Sequence, residues 1–221
     1  MEAIIPIAIL VIIFAAIGLA AWMHSVNEKK RVSRLEEVAQ ELGLEFYPTG
    51  LTELLERLAS FSLFNQGYDR QIKNLIQGET GEVNLALFDY QYTTGSGKEK
   101  STHRATVATI SSTNLNCPDF LIRPENFFDR IGSMIGFQDI DFDSHPAFSK
   151  LFVLQGSNEE SIREFMRPEI LNYFENHPGI SVEGNGGMLI FYRGRTRVKP
   201  DQWKEHFAQA YEVFGVIVDN S

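Results

Sequence analysis

The chain has 221 residues, of which 43% are hydrophobic and 22% are charged, a composition typical of globular proteins and unlike that of disordered or fibrous ones. Its 20 Lys and Arg against 29 Asp and Glu give a formal charge of −9, which disfavours binding to nucleic acid through global charge. The one cysteine, Cys117, excludes an internal disulfide and a cysteine-based zinc site.

The chain begins with a long apolar segment. Residues 3–23 carry no charged side chain, and about 20 such residues, rising 1.5 Å each, suffice to cross a hydrocarbon core of about 30 Å. Trp22 would then lie at the level of the headgroups. A cleaved secretory signal is the alternative, but it requires a basic leader, and the leader here contains Glu2 and no Lys or Arg. We therefore predict a transmembrane helix as an anchor over residues 1–25.

A basic flank and a helix follow the apolar segment over residues 26–43. Basic residues close to a span determine its orientation, so we predict a single-pass protein of the cell membrane with its N-terminus outside and its C-terminal domain cytoplasmic. The same cations could contact anionic lipid. Leu35, Val38 and Leu42 have helical spacing, and Gly43 is a typical helix stop. The basic residues are Lys29, Lys30, Arg31 and Arg34.

The next part of the chain predicts an antiparallel meander. A short strand over 44–47 and a helix over 52–61 precede three strand-like segments, which are joined by turn-forming sequences of hairpin length. The middle segment, Glu82–Tyr92, is apolar on both faces, so we expect it to be a central strand covered on two sides. The three segments are 70–77, 82–92 and 102–111.

The remaining chain alternates short strands and helices. We predict an extended piece at 120–123, a helix over Glu125–Met134, a strand over 150–154, two helices between 157 and 174, and a hairpin over 180–193. Pro200 opens a last helix, whose predicted apolar stripe is Trp203, Phe207, Ala210, Tyr211, Phe214 and Val218. The predicted fold class is α+β: an N-terminal transmembrane helix followed by one cytoplasmic domain, residues 44–221, with an antiparallel sheet and packed helices.

Acidic residues alternate in one segment that suggests a metal site. In a strand, Asp139, Asp141, Asp143 and His145 would share one face and could bind a hard cation. A calcium-binding EF-hand loop would also need Gly at its sixth and Glu at its twelfth position, where Ser144 and Lys150 stand. The ordinary alternative is a solvent-exposed strand edge, at which neighbouring Arg or Lys side chains offset the repulsion between the carboxylates.

Basic residues alternate in a second segment. Arg193, Arg195, Arg197 and Lys199 could contact lipid phosphates or a partner. The ordinary alternative is that they pair with residues 139–143 of the same domain or form a solvated strand end.

Nucleotide-binding and nucleophilic motifs find no support. Residues 92–99 resemble a phosphate loop, but Tyr92 and Glu99 replace its first Gly and its magnesium-binding Ser or Thr. No Gly-x-Ser-x-Gly motif is present, and Cys117 precedes a proline. We therefore predict no cofactor and favour a protein that is not an enzyme.

Several ordered segments together resemble a group of uncharacterised bacterial proteins with one N-terminal membrane span and an α+β body. The resemblance covers roughly residues 42–214, implies architecture only, and transfers no catalytic residue. The segments are Leu63–Tyr68, Leu87–Tyr90 with Thr94–Lys98, Phe120–Asn126, Asp139–Phe148 and Ser181–Arg193.

These observations predict a membrane-tethered cytoplasmic module that binds or scaffolds an unidentified partner and does not bind nucleic acid. The alternative is a metal-assisted hydrolase that uses Asp139, Asp141, Asp143 and His145. The sequence leaves the ligand, the protein partner and the oligomeric state open.

Overall fold

A computed structural model of the chain describes residues 4–125 and 138–218, with side chains described from residue 12 onward. Eight strands and six α-helices make up this part. The strands are β1 Glu45–Thr49, β2 Tyr68–Thr80, β3 Val83–Thr94, β4 Ser101–Ser112, β5 Cys117–Pro124, β6 Phe152–Gly156, β7 Ser181–Gly186 and β8 Met188–Tyr192. The helices are α1 Ile4–Leu42, α2 Thr52–Arg57, α3 Pro146–Leu151, α4 Glu159–Phe165, α5 Pro168–Asn176 and α6 Trp203–Val218, with 3₁₀ turns at Ser62–Asn65, Gly97–Glu99 and Pro200–Gln202.

All eight strands form one antiparallel sheet in the order β1-β2-β3-β4-β8-β7-β5-β6. The predicted meander corresponds to β2, β3 and β4, and β3 pairs with β4 without a break from Val83↔Ser112 to Thr94↔Ser101. Short polar turns favour this local pairing. The α+β body with an antiparallel sheet and packed helices is therefore present as expected.

Each face of the sheet carries its own hydrophobic core. The C-terminal part of α1 and helices α3 to α6 cover one face, where Leu35 of α1 and Trp203 of α6 are fully buried. Helix α2 and the 3₁₀ turn Ser62–Asn65 cover part of the other face, around Phe64 and Phe88. The central strand β3 contributes alternate side chains to both cores, which explains why it is apolar on both sides.

The prediction of a membrane anchor is wrong for the part of the chain that the structure describes, where no helix combines the length and the apolar character that a membrane crossing needs. The predicted span falls within α1, of which the structure describes the backbone from Ile4 and the side chains from Ile12. The same helix then continues through polar residues to Leu42. The predicted transmembrane helix, the single-pass membrane location and the cytoplasmic orientation are corrected accordingly.

Two further predictions concern the segment after β5 and the buried face of α6. The helix predicted over Glu125–Met134 lies, apart from Glu125, outside the described residues. In α6 the buried face differs from the predicted stripe, because Tyr211 is 46% exposed and Phe207 is only partly buried. The fully packed positions of α6 are Trp203, His206, Ala210, Val213, Phe214 and Ile217.

Candidate functional site

A buried carboxylate lies at the centre of the most highly connected polar group in the structure. Asp89 of β3 is 5% exposed and points toward the polar half of α1. There the Nε and Nη2 atoms of Arg31 donate to its two carboxylate oxygens, both at 2.7 Å. This paired geometry is the strongest that a guanidinium and a carboxylate form.

Three more side chains donate to Asp89. Arg197 donates from Nη2 at 3.0 Å, Thr106 of β4 from its hydroxyl at 2.9 Å, and Asn74 of β2 from its amide at 2.9 Å. Arg197 also donates to both oxygens of Glu28 in α1, at 2.7 and 3.0 Å. We call these six residues the Asp89 cluster: Glu28, Arg31, Asn74, Asp89, Thr106 and Arg197.

A backbone irregularity in β2 places Asn74 in the cluster. Its φ of 52° lies in the left-handed region, which asparagine tolerates better than most residues, and the residue is 2% exposed. The pairing of β2 with β3 shifts between Lys73 and Ile76, which is the signature of a bulge. The bulge thus directs the amide of Asn74 toward Asp89.

Opposite charges balance within the cluster. Burial by itself raises the pKa of Asp89, but the hydrogen bond and charge of Arg31, the charge of Arg197 and the Asn74 amide outweigh it and lower the pKa. The hydrogen bond from Arg197 likewise lowers the pKa of Glu28 against its partial burial. Two carboxylates and two guanidinium groups therefore remain ionised, and their formal charges cancel.

The cluster fixes the polar half of α1 to the sheet. The guanidinium of Arg31 also lies over the ring of Trp203, 5.6 Å from its centroid, and Arg34 pairs with Asp201 at 3.0 Å. Before this fixed part, every side chain from Ile12 to Met23 is exposed, Phe14 by 70% and Trp22 by 64%. We call residues 12–23 the apolar arm. It is continuous with the docked part of α1, so the body holds it in a defined direction.

The basic residues predicted as a contact stripe do not form a strand after Tyr192, where β8 ends. Arg197 lies in the Asp89 cluster, so its carboxylate partners are Asp89 and Glu28 and not residues 139–143. Arg193 donates to Gln209, Arg195 lies 5.8 Å from the centroid of the Tyr92 ring, and Lys199 is exposed. Contact of the other three with lipid or with a partner stays a prediction.

The acidic segment is irregular and not a strand, so its side chains do not alternate on one face. Asp139 accepts a hydrogen bond from the Leu154 backbone at 2.8 Å, and burial raises its pKa. Asp141 and Asp143 are exposed, and the ring of His145 contacts Ser144. Among the described side chains, no three of His, Cys, Asp or Glu are placed to share a metal ion.

Sequence reasoning missed Asp89 and Arg31 as partners. An aspartate inside the apolar segment Leu85–Tyr90 was the available signal, because a charge in a strand covered on both faces requires a partner. The partner itself lies 58 positions away in the sequence. Arg31 was interpreted as an orientation signal for a membrane span.

In the described part of the chain, a cleft of about 380 Å³ is lined by Glu28, Arg31 and Arg197 of the cluster, and two more clefts adjoin the cluster. One has a volume of about 200 Å³ and is lined by Lys73 and Arg104 beside Asp89. The other, of about 310 Å³, lies between residues 193–199 and α6, and His206 lines it. A larger cleft of about 500 Å³ lies on the sheet beside Leu54 of α2.

Comparisons with known proteins identify a related fold. No protein-family model matches the chain, and no curated protein matches it significantly. Among solved structures, the mycobacterial trehalose monomycolate transport factor A, TtfA, matches with a TM-score of 0.60 and 12% identity, over 85% of this chain and 96% of that chain. At this identity the match shows a shared α+β fold and nothing about activity.

Proposed function

We propose that the chain is a non-catalytic binding and scaffolding component of a transport assembly, and that it joins its protein partner through the apolar arm. One observation carries this proposal. The Asp89 cluster fixes the polar half of α1, whereas every side chain of the arm, Ile12 to Met23, is exposed. An exposed apolar surface of this kind marks an interaction site.

The form of the arm favours a partner that surrounds a helix. Apolar side chains occupy all sides of the arm and not a single stripe, since consecutive residues such as Ile12, Ile13 and Phe14 are all exposed. A partner protein that offers an apolar groove between its own helices has the matching chemistry. The arm bears no charge between Ile12 and Met23, so apolar burial would supply the affinity.

The distribution of polar groups favours binding over catalysis. Residues 139–143 lie in an irregular segment whose backbone is hydrogen-bonded to Ser149, Leu154 and Arg163. The Leu154 N–H also donates to the Asp139 carboxylate, which weakens the case for a metal-assisted hydrolase. TtfA is described as a transport factor, and this supports the proposal that a chain of the same fold takes part in a transport assembly.

Site-specific photocrosslinking in the native host cell tests this proposal. A benzophenone side chain replaces Phe14 or Trp22 in the arm, and as a matched control it replaces Tyr211, which is also an exposed aromatic residue but belongs to α6. We expect a discrete protein adduct from both arm positions and none from Tyr211. Serine at Ile17 and Leu19 should reduce the adduct several-fold because it removes apolar area from the same arm. Absence of a protein adduct from the arm, or an identical adduct from Tyr211, would contradict the proposal.

A further inference from the structure

A buried histidine lines the cleft between residues 193–199 and α6. This cleft, with a volume of about 310 Å³, is separate from the apolar arm. Only 4% of His206 is exposed, yet the residue contributes to the wall of the cleft. Its ring packs against Phe191, with 5.0 Å between the ring centroids.

The imidazole of His206 lacks a regular hydrogen-bond partner. Neither ring nitrogen makes a hydrogen bond of standard geometry within the described part of the chain, although the Thr106 backbone interacts weakly with the ring. Burial, and secondarily the charge of Arg193, lowers the pKa of His206 to about 4. The neutral ring therefore offers one donor and one acceptor, and native proteins usually satisfy such buried groups with a water molecule or a ligand.

Cations dominate the rim of the same cleft. Arg193 and Lys199 are exposed there, and Glu205 is the acidic residue among those that line it. Arg193 donates to the neutral amide of Gln209 at 3.1 Å, so that contact leaves its positive charge uncompensated. Arg197 also lines the cleft, but Glu28 and Asp89 balance its charge. In a chain with a formal charge of −9, this local excess of positive charge favours an anion.

We propose that this cleft binds a phosphate monoester, with Arg193 and Lys199 donating to the phosphate oxygens at the rim and His206 donating from the wall. A phosphate group offers three acceptor oxygens, and a guanidinium donates to two of them at once. The cleft exceeds the size of one phosphate group and lies at the lower limit of ligand pockets, about 300–1,000 Å³, so a small substituent on the phosphate also fits.

Nuclear magnetic resonance of the full chain with ¹³C-labelled histidine tests the proposal. Of the five histidines, His206 should show a saturable shift with added inorganic phosphate, and the other four, His24, His103, His145 and His177, should not. Dihexanoyl phosphatidic acid, used below its micelle concentration, distinguishes a lipid headgroup from free phosphate as the source. A response to either probe, with none to potassium chloride at equal ionic strength, supports the site. No saturable response of His206 to either probe overturns it.

Variants separate the site from a general charge effect. R193Q with K199Q should weaken phosphate binding at least tenfold. The matched control, K100Q with R163Q, removes the same charge from residues that pair with Asp69 and Glu159 elsewhere, and it should change binding less than twofold. H206F should weaken binding without lowering the midpoint of thermal unfolding, because phenylalanine retains the packing on Phe191. Equal loss of binding in both charge variants, or unchanged binding in H206F, would overturn the assignment.

Discussion

Glu183 shows how a single buried acid can make stability depend on pH. It lies on β7, is 2% exposed, and accepts hydrogen bonds from the backbone of Ser62 and Leu63 and from the Tyr192 hydroxyl. It therefore ties the 3₁₀ turn Ser62–Asn65 to the sheet. Burial raises its pKa from 4.5 to about 7, although these three donors oppose that rise.

The raised pKa of Glu183 predicts a loss of stability as the pH rises. Between about 4.5 and 7 the folded state binds more protons at Glu183 than the unfolded state does, so the contribution of Glu183 to the free energy of unfolding falls through this window, by about 3 kcal/mol at 1.4 kcal/mol per pKa unit. Urea unfolding at pH 5 and pH 8 measures the fall. Because burial lowers the pKa of His206 to about 4, that residue adds stability over part of the same window, so the fall is measured against E183Q. The free energy of unfolding of E183Q relative to the parent chain should rise by about 3 kcal/mol between the two pH values, whereas that of E56Q, on the exposed face of α2, should stay constant relative to the parent. A slope in E183Q equal to that of the parent chain would refute the argument.

Asp89 should have the opposite effect on the pH dependence, because its ionised form stabilises the folded state. D89N leaves the guanidinium groups of Arg31 and Arg197 facing a neutral amide, and breaking a buried pair in this way costs about 3–5 kcal/mol. D69N removes an exposed carboxylate 3.7 Å from Lys100 and should cost about 0–1 kcal/mol. Chemical unfolding at pH 7 compares the two.

Because the pKa of Asp89 is lowered in the folded state, the stabilisation that it contributes should disappear as the pH falls below about 4. The free energy of unfolding of D89N should therefore depend less on pH in this acid range than that of the parent chain.

At the scale of elements, local signals predicted the fold better than distant ones. The β2-β3-β4 meander follows from short turns between apolar segments, and both hairpins were visible in the sequence. The β7-β8 hairpin likewise follows from its turn and corresponds to the hairpin predicted over residues 180–193. The pairs β4-β8, β5-β7 and β5-β6 instead depend on contacts across long stretches of chain. No turn signal encodes those pairs.

Two other predictions from the sequence were wrong: which face of α6 is buried, and the strand conformation of residues 139–143. An apolar stripe through Tyr211 and a face through His206 differ by a small rotation of the helix, and only packing against the sheet decides between them. The alternating acids suggested a strand, but Ile140 bonds to Leu154 and Phe142 to Ser149, which produces an irregular segment. The polar partners of Asp89 likewise lie on four separate elements or loops and could not be paired from spacing.

At the scale of the whole molecule, α1 has two roles: its residues 12–23 form the apolar arm, and its C-terminal part packs into the core of the body. Leu35 is fully buried, Val38 and Ala39 are 8% and 1% exposed, and Arg31 reaches the sheet. The body therefore does not begin after the helix, where Gly43 would suggest a boundary. Removing the arm alone should leave the core intact, whereas removing all of α1 should expose it.

Two truncated chains test this division. A chain of residues 24–221 retains Glu28, Arg31 and the buried face of α1, so it should unfold in one cooperative transition with a urea midpoint close to that of the full chain. A chain of residues 44–221 loses Leu35, which alone is worth about 2–5 kcal/mol, together with two residues of the Asp89 cluster. Since domains are stable by only about 5–15 kcal/mol in total, it should lose most of its cooperative transition. Equal midpoints for the two chains would show that α1 serves only as an arm.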